Sequence, residues 1–147
     1  MFFEQALRIM QEEVNRALSY LGEKCIIRIR DRQPEESWND ITGNLRSSIG
    51  YAVYEYGKKY IESTFAVIKN GGKGASEGRR IIEELASQYA NVYALVVIAG
   101  MNYADAVEAM KNKDVLASTK SWATQQVNDY IKKAQERAER RINQIKL

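Results

Sequence analysis

The chain has 147 residues, 45% of them apolar and 28% charged, which suits one compact domain with a buried core and is too short for two. Lys and Arg total 22 against 19 Asp and Glu, so the formal net charge is +3, mildly basic and short of the excess common in chains devoted to nucleic acid. There is no histidine, one cysteine (Cys25) and one proline (Pro34), which excludes histidine-dependent nucleophilic, general-base and zinc chemistry, an intrachain disulfide and cysteine-built metal sites.

The first helix is predicted over residues 2–31. Phe3, Leu7, Met10, Val14, Ala17 and Leu21 alternate steps of four and three, a narrow stripe laid against one partner, while Glu, Gln, Arg and Asn fill the other faces. The helix continues past Gly22 through Cys25 and Ile29 and stops before Pro34, because a residue preceding proline avoids the α region. The N-terminus meets an acid at Glu4 with no basic or long apolar leader, so a soluble chain kept in the cytoplasm is expected, with no membrane partner.

Residues 32–39 are polar and read as a loop, and Asp40 to Ile49 as a turn leading into a short helical piece or bend. Over residues 49–68 the composition shifts to β-branched and aromatic types, including Tyr51, Val53, Tyr54, Tyr56, Tyr60, Ile61, Phe65 and Val67. A β-hairpin turning at Gly57-Lys58-Lys59 is predicted, with helix as the competing reading. Asn70 to Gly74 reads as a flexible loop, and residues 75–90 as a helix capped at Ser76 with Ile81, Ile82, Leu85, Ala86 and Tyr89 on one face. Residues 92–99, a continuous apolar run, read as the central buried strand. A second long helix is predicted over 115–146, with Trp122, Val127, Ile131, Ala134, Ala138, Ile142 and Ile145 on its apolar side. The order gives an α+β domain, a small antiparallel sheet of three to four strands against long N- and C-terminal helices.

Chemical signals are few. The glycines around Lys73 match neither G-x-x-x-x-G-K-[ST] nor G-x-G-x-x-G, so no phosphate loop is built there. The carboxylate groups (Glu35, Glu36 and Asp40; Glu83 and Glu84; Asp105 and Glu108) offer no identifiable third ligand, so neither a metal nor another cofactor is expected. The C-terminal helix carries Lys132, Lys133, Arg137, Arg140, Arg141 and Lys146 against Glu136 and Glu139. That face is read as a solvated or protein-binding surface, part of its charge following from the helix macrodipole, with contact to DNA as the rival. Nine tyrosines exceed what packing requires. Tyr54, Tyr56 and Tyr60, with Lys73, Arg137, Arg140 and Arg141, form the candidate interface, since tyrosine brings large area at small entropic cost.

Thr42-Gly43-Asn44-Leu45-Arg46-Ser47-Ser48-Ile49 resembles the T-G-x-L-x-x-S-I pattern of the head–tail joining proteins of tailed bacteriophages, also called tail-completion, neck or minor capsid proteins. Tyr103-Ala104-Asp105-Ala106-Val107-Glu108 is similar to that family's later Y-A-x-x-V-E strand, and Asp114-Val115-Leu116 precedes the last helix as the family pattern requires. The motif positions are Thr42, Gly43, Leu45, Ser48, Ile49, Tyr103, Ala104, Val107 and Glu108. The resemblance implies residues 102–110 are a strand, whereas their alanines favour helix. It also implies a non-enzymatic subunit that self-associates into a ring and docks on neighbouring connector or tail proteins, found in the bacterial cytoplasm during assembly and in the virion neck afterwards. Physically, Gly43 would allow a positive φ at the turn, letting Leu45 and Ile49 anchor the sheet on the helix stripes. The rival is a nucleic-acid-associated module using the basic C-terminal helix.

Overall fold

A computed structural model describes residues 1–30, 49–62, 72–89, 91–99 and 117–145. Helix α1 spans Phe2–Arg30 and the last helix, α3, spans Ala117–Ile145. They run antiparallel: Arg28 lies over the Trp122 ring, Tyr20 stacks on Tyr130, and Glu13 meets Arg137 and Arg141. Small side chains make the approach possible, Ala17 on α1 and Ala134 and Ala138 on α3 all being buried.

Three antiparallel strands form the sheet in the order β2-β1-β3, with β1 at Ile49–Glu55, β2 at Lys58–Glu62 and β3 at Tyr93–Ala99. A third helix, α2 (Gly72–Leu85), runs into a 3-10 turn at Ala86–Tyr89. The layers are the α1–α3 pair, the sheet, and α2. On the inner face Ile49, Tyr51 and Val53 pack with Leu18, Ile26 and Ile29, joined by Tyr93, Leu95, Val97, Val127 and Ile131. On the outer face Ala52, Tyr54 and Ile98 pack with Ala75 and Ile82, joined by Ala94, Val96 and Leu85. The alternation of odd and even residues along β1 and β3 is the two-residue period of a strand read on two covered faces.

The predicted α+β architecture, both long helices, the hairpin and the later strand are present. Four details differ. Among the described strands β1, not β3, is central; the apolar run of β3 fits helices packed on both its faces. The hairpin turns one residue early, at Tyr56-Gly57, where both φ angles are positive (50° and 84°), the backbone of a two-residue turn matched to strand twist. Gly72 to Gly74, expected in a loop, form the first turn of α2, so Ser76 lies inside the helix and is no cap. Finally, the helix expected to reach residue 90 is α-helical only to Leu85.

Candidate functional site

Of the nine motif positions Ile49 alone is described. It opens β1 fully buried among Ile26 and Ile29, which is the anchoring expected of it. Thr42, Gly43, Leu45, Ser48, Tyr103, Ala104, Val107 and Glu108 lie outside the described residues, as do Glu35, Glu36, Asp40 and Asp105.

The hairpin tyrosines divide. Tyr54, expected at an interface, is a core residue: it is 0% exposed, stacks on Tyr89 at 5.6 Å, and its hydroxyl donates a 2.6 Å hydrogen bond to the Ile82 carbonyl. The expectation failed because α2 covers a sheet face that the tyrosine count had assigned to solvent. Tyr56 and Tyr60 are exposed. Tyr56 holds φ at 50°, a left-handed conformation that bulky side chains rarely adopt and that Asn or Gly would occupy at lower cost. The residue is 59% exposed, and its ring meets the Tyr93 ring edge-on at 5.2 Å. An aromatic side chain kept on an unfavourable turn backbone, in the open, is a candidate contact residue.

The cationic positions also divide. Arg137 Nε donates to Glu13 Oε1 at 2.9 Å, and Arg141 donates to Glu13 Oε2 at 2.8 Å and to Glu12 Oε2 at 2.9 Å. Glu13 is almost fully buried; burial pushes its carboxyl pKa up, but hydrogen bonds from Arg137 and Arg141 outweigh that and hold it below the usual range. Arg137 and Arg141 therefore clasp α3 to α1, and the basic excess of α3 is partly used inside the molecule. Arg140 is exposed. Lys73 falls in the first turn of α2, and its side chain lies outside the described residues. On the β2–α2 side, Lys59 bridges Glu62 (3.4 Å) and Glu83, while Arg80 pairs with Glu77 and Glu84.

A second group of surface residues was not foreseen. The clasp sets Arg141 beside Glu12 and Glu13, so Ile145 lies near the level of residue 8. The first turns of α1 run on past the last described turn of α3 by roughly 10 Å at 1.5 Å per residue. On that projection Phe2 and Phe3 are exposed, Phe3 at 76%, and Leu7 is 50% exposed; Met1, and Ile145 in the last described turn of α3, are exposed as well. The apolar stripe of α1 is thus buried from Ala17 onward and uncovered at its start. The signal was present in the Met-Phe-Phe opening, which continues the stripe; the sequence does not show which part of that stripe the described turns of α3 cover. The hydrogen bond from Asn15 to Glu55 (3.0 Å) brings the Tyr56 turn toward the same end of the fold.

Between α1, β3 and α3 lies a cleft of about 490 Å³ lined by Leu18, Cys25, Leu95, Val97 and Val127. Burial pushes the Cys25 thiol up to about 11, against a smaller opposing effect of Arg28, so it is no thiolate nucleophile at neutral pH. Among the described residues no three His, Cys, Asp or Glu side chains gather as a metal site, and no helix is long and apolar enough to cross a membrane. Comparison with protein-family models, with curated proteins and with solved structures gave no match.

Proposed function

We propose that this chain is a non-enzymatic structural subunit of a tailed bacteriophage or prophage, a head–tail connector or tail-completion protein that works by closing into a ring. The observation that carries the reading is the projecting end of α1, where Phe2, Phe3 and Leu7 stand in solvent. Clustered apolar residues at one end of an otherwise well-charged molecule mark a docking surface. The exposed Tyr56 and Tyr60 supply a second contact patch of different composition, as a head-to-tail ring requires. The long paired helices on a small antiparallel sheet suit the architecture that the T-G-x-L-x-x-S-I and Y-A-x-x-V-E resemblances imply. Its partners are then neighbouring copies and the adjoining connector or tail proteins, in the bacterial cytoplasm during assembly and in the virion neck when assembled.

Negative-stain imaging of the concentrated protein tests this reading. Closed rings of one diameter are the expected result. Isolated single subunits at every concentration, or open irregular aggregates only, would count against a ring-forming part.

A further inference from the structure

A separate feature lies along the α1–α3 pair. Arg16, Tyr20 and Lys24 stand one turn apart on α1, and Tyr130, Lys133 and Arg137 face them from α3, lining a cleft of about 400 Å³. The rings of Tyr20 and Tyr130 stack at 6.0 Å with 27° between their planes, and Tyr20 is 58% exposed. The Lys24 ammonium sits 4.8 Å from the Tyr20 ring centroid and 5.9 Å from that of Tyr130.

The cations here exceed what the fold uses. Glu13 is already met by Arg137 and Arg141, leaving Arg16, whose side chain is 74% exposed, only a loose 3.7 Å contact with it. Lys133 pairs with Asp129 at 3.1 Å, but both are exposed and such a pair contributes little. Among the described residues the ring faces of Tyr20 and Tyr130 are the partners of Lys24, and the Tyr130 hydroxyl is the main cause of its raised pKa.

We propose that this cleft binds single-stranded nucleic acid, one base resting on the Tyr20–Tyr130 pair and the flanking phosphates on Lys24, Arg16 and Lys133. Stacking platforms set in a cationic groove are the common means of holding a single strand without reading its sequence. Tyr20 and Arg16 are four residues apart, about 6 Å along the helix, the scale of one nucleotide. A cleft of this volume accepts a flipped-out base, whereas a paired base keeps its faces inside the duplex stack. An acidic peptide would meet the cations but make no use of the exposed aromatic surface of Tyr20. This inference does not depend on ring assembly.

The test is fluorescence anisotropy of a labelled oligothymidylate with the purified full-length chain across a salt series. Saturable binding is expected, with log K falling against log salt at a slope of about −1.4 to −2.8, for two to four neutralised phosphates. Tyr20→Ala weakens binding about tenfold, Tyr20→Phe retains it, and Lys24→Gln makes the slope shallower by about 0.7. Arg79→Gln, a charge-matched change on the exposed side of α2, leaves binding unaltered. Circular dichroism establishes that each variant keeps its helices. Absence of binding by the wild-type chain would overturn the proposal. So would Tyr20→Ala binding as the wild type does, or polyglutamate of equal charge competing as well as unlabelled oligothymidylate, which would make this an acidic-peptide site.

Discussion

Gly22 in α1 and Tyr51 in β1 touch so closely that a Cβ on residue 22 would lie 2.5 Å from Tyr51 Cδ2 and 2.7 Å from Cγ. Glycine inside a helix is ordinarily a weakness, but here it opens the notch in which the aromatic ring lies. The ring is held at its hydroxyl end as well, since the Tyr51 hydroxyl donates to Glu23 Oε1 at 3.0 Å, and the residue is buried. Gly22→Ala, which would gain up to about 1 kcal/mol in an exposed helix, is therefore expected to destabilise the fold by about 1–2 kcal/mol. Urea denaturation checks it. In a Tyr51→Val background, where the ring is gone, the same change is expected to turn stabilising, a non-additivity reserved for residues in contact.

The Glu13 clasp makes stability depend on acid. Arg137 and Arg141 hold its carboxyl below the ordinary value of 4.5, so the folded state binds this proton less readily than the unfolded chain. The clasp's contribution is complete above that value and is lost as pH falls through the folded-state value. Glu13→Gln is expected to cost about 2 kcal/mol at neutral pH, by loss of charge-assisted hydrogen bonds, and to flatten the decline in stability below pH 4.5. Denaturation midpoints measured from neutral to acid pH give both quantities, and an equally steep acid decline in the variant would remove Glu13 as its source.

Tyr56 predicts a trade between stability and assembly. Tyr56→Asn places a residue tolerant of the left-handed region on the same backbone, and a gain of about 0.5–1 kcal/mol is expected. The lost edge contact with Tyr93 keeps the gain small. The variant should be the more stable protein and the poorer assembler, measured by thermal denaturation and by solution mass on the same samples.

Cys25 offers a reporter of opening. Its thiol is 1% exposed with its pKa raised to about 11, so a thiol-specific disulfide reagent near pH 8 should label the native chain only as fast as the α1–β3–α3 core opens. Full labelling in denaturant and slow labelling in buffer is the expected pattern. Rapid stoichiometric labelling in buffer would mean that the cleft Cys25 lines admits the reagent without opening of the core.

These relationships show what could be read in advance. The two long helices were legible because each carries a sustained 3.6-residue stripe, and the hairpin because β-branched and aromatic residues concentrate there. The order of strands was not, since an apolar run such as Tyr93 to Ala99 looks the same whether strands or helices cover it. Tyr54 was misplaced for a related reason: residue type does not reveal that α2 closes the second face of the sheet. Glu13 gave little warning, one acid among many on α1, and its role depends on Arg137 and Arg141 more than a hundred positions away. The uncovered Phe3 and Leu7 continue a stripe that is buried further along, so only the relative ends of α1 and α3 distinguish them. Of the residues expected at an interface, Tyr56, Tyr60 and Arg140 are in the open, Tyr54 is in the core, and Arg137 and Arg141 serve the fold.

The central claim is that the exposed end formed by Phe2, Phe3 and Leu7 drives assembly, and light-scattering chromatography across concentration tests it most directly. The expected result is a mass that rises to one discrete multiple of the chain, and a Phe3→Ser, Leu7→Ser variant of unchanged stability that stays monomeric under the same conditions. A wild-type chain that remains monomeric throughout, or a variant that assembles equally well, would contradict it.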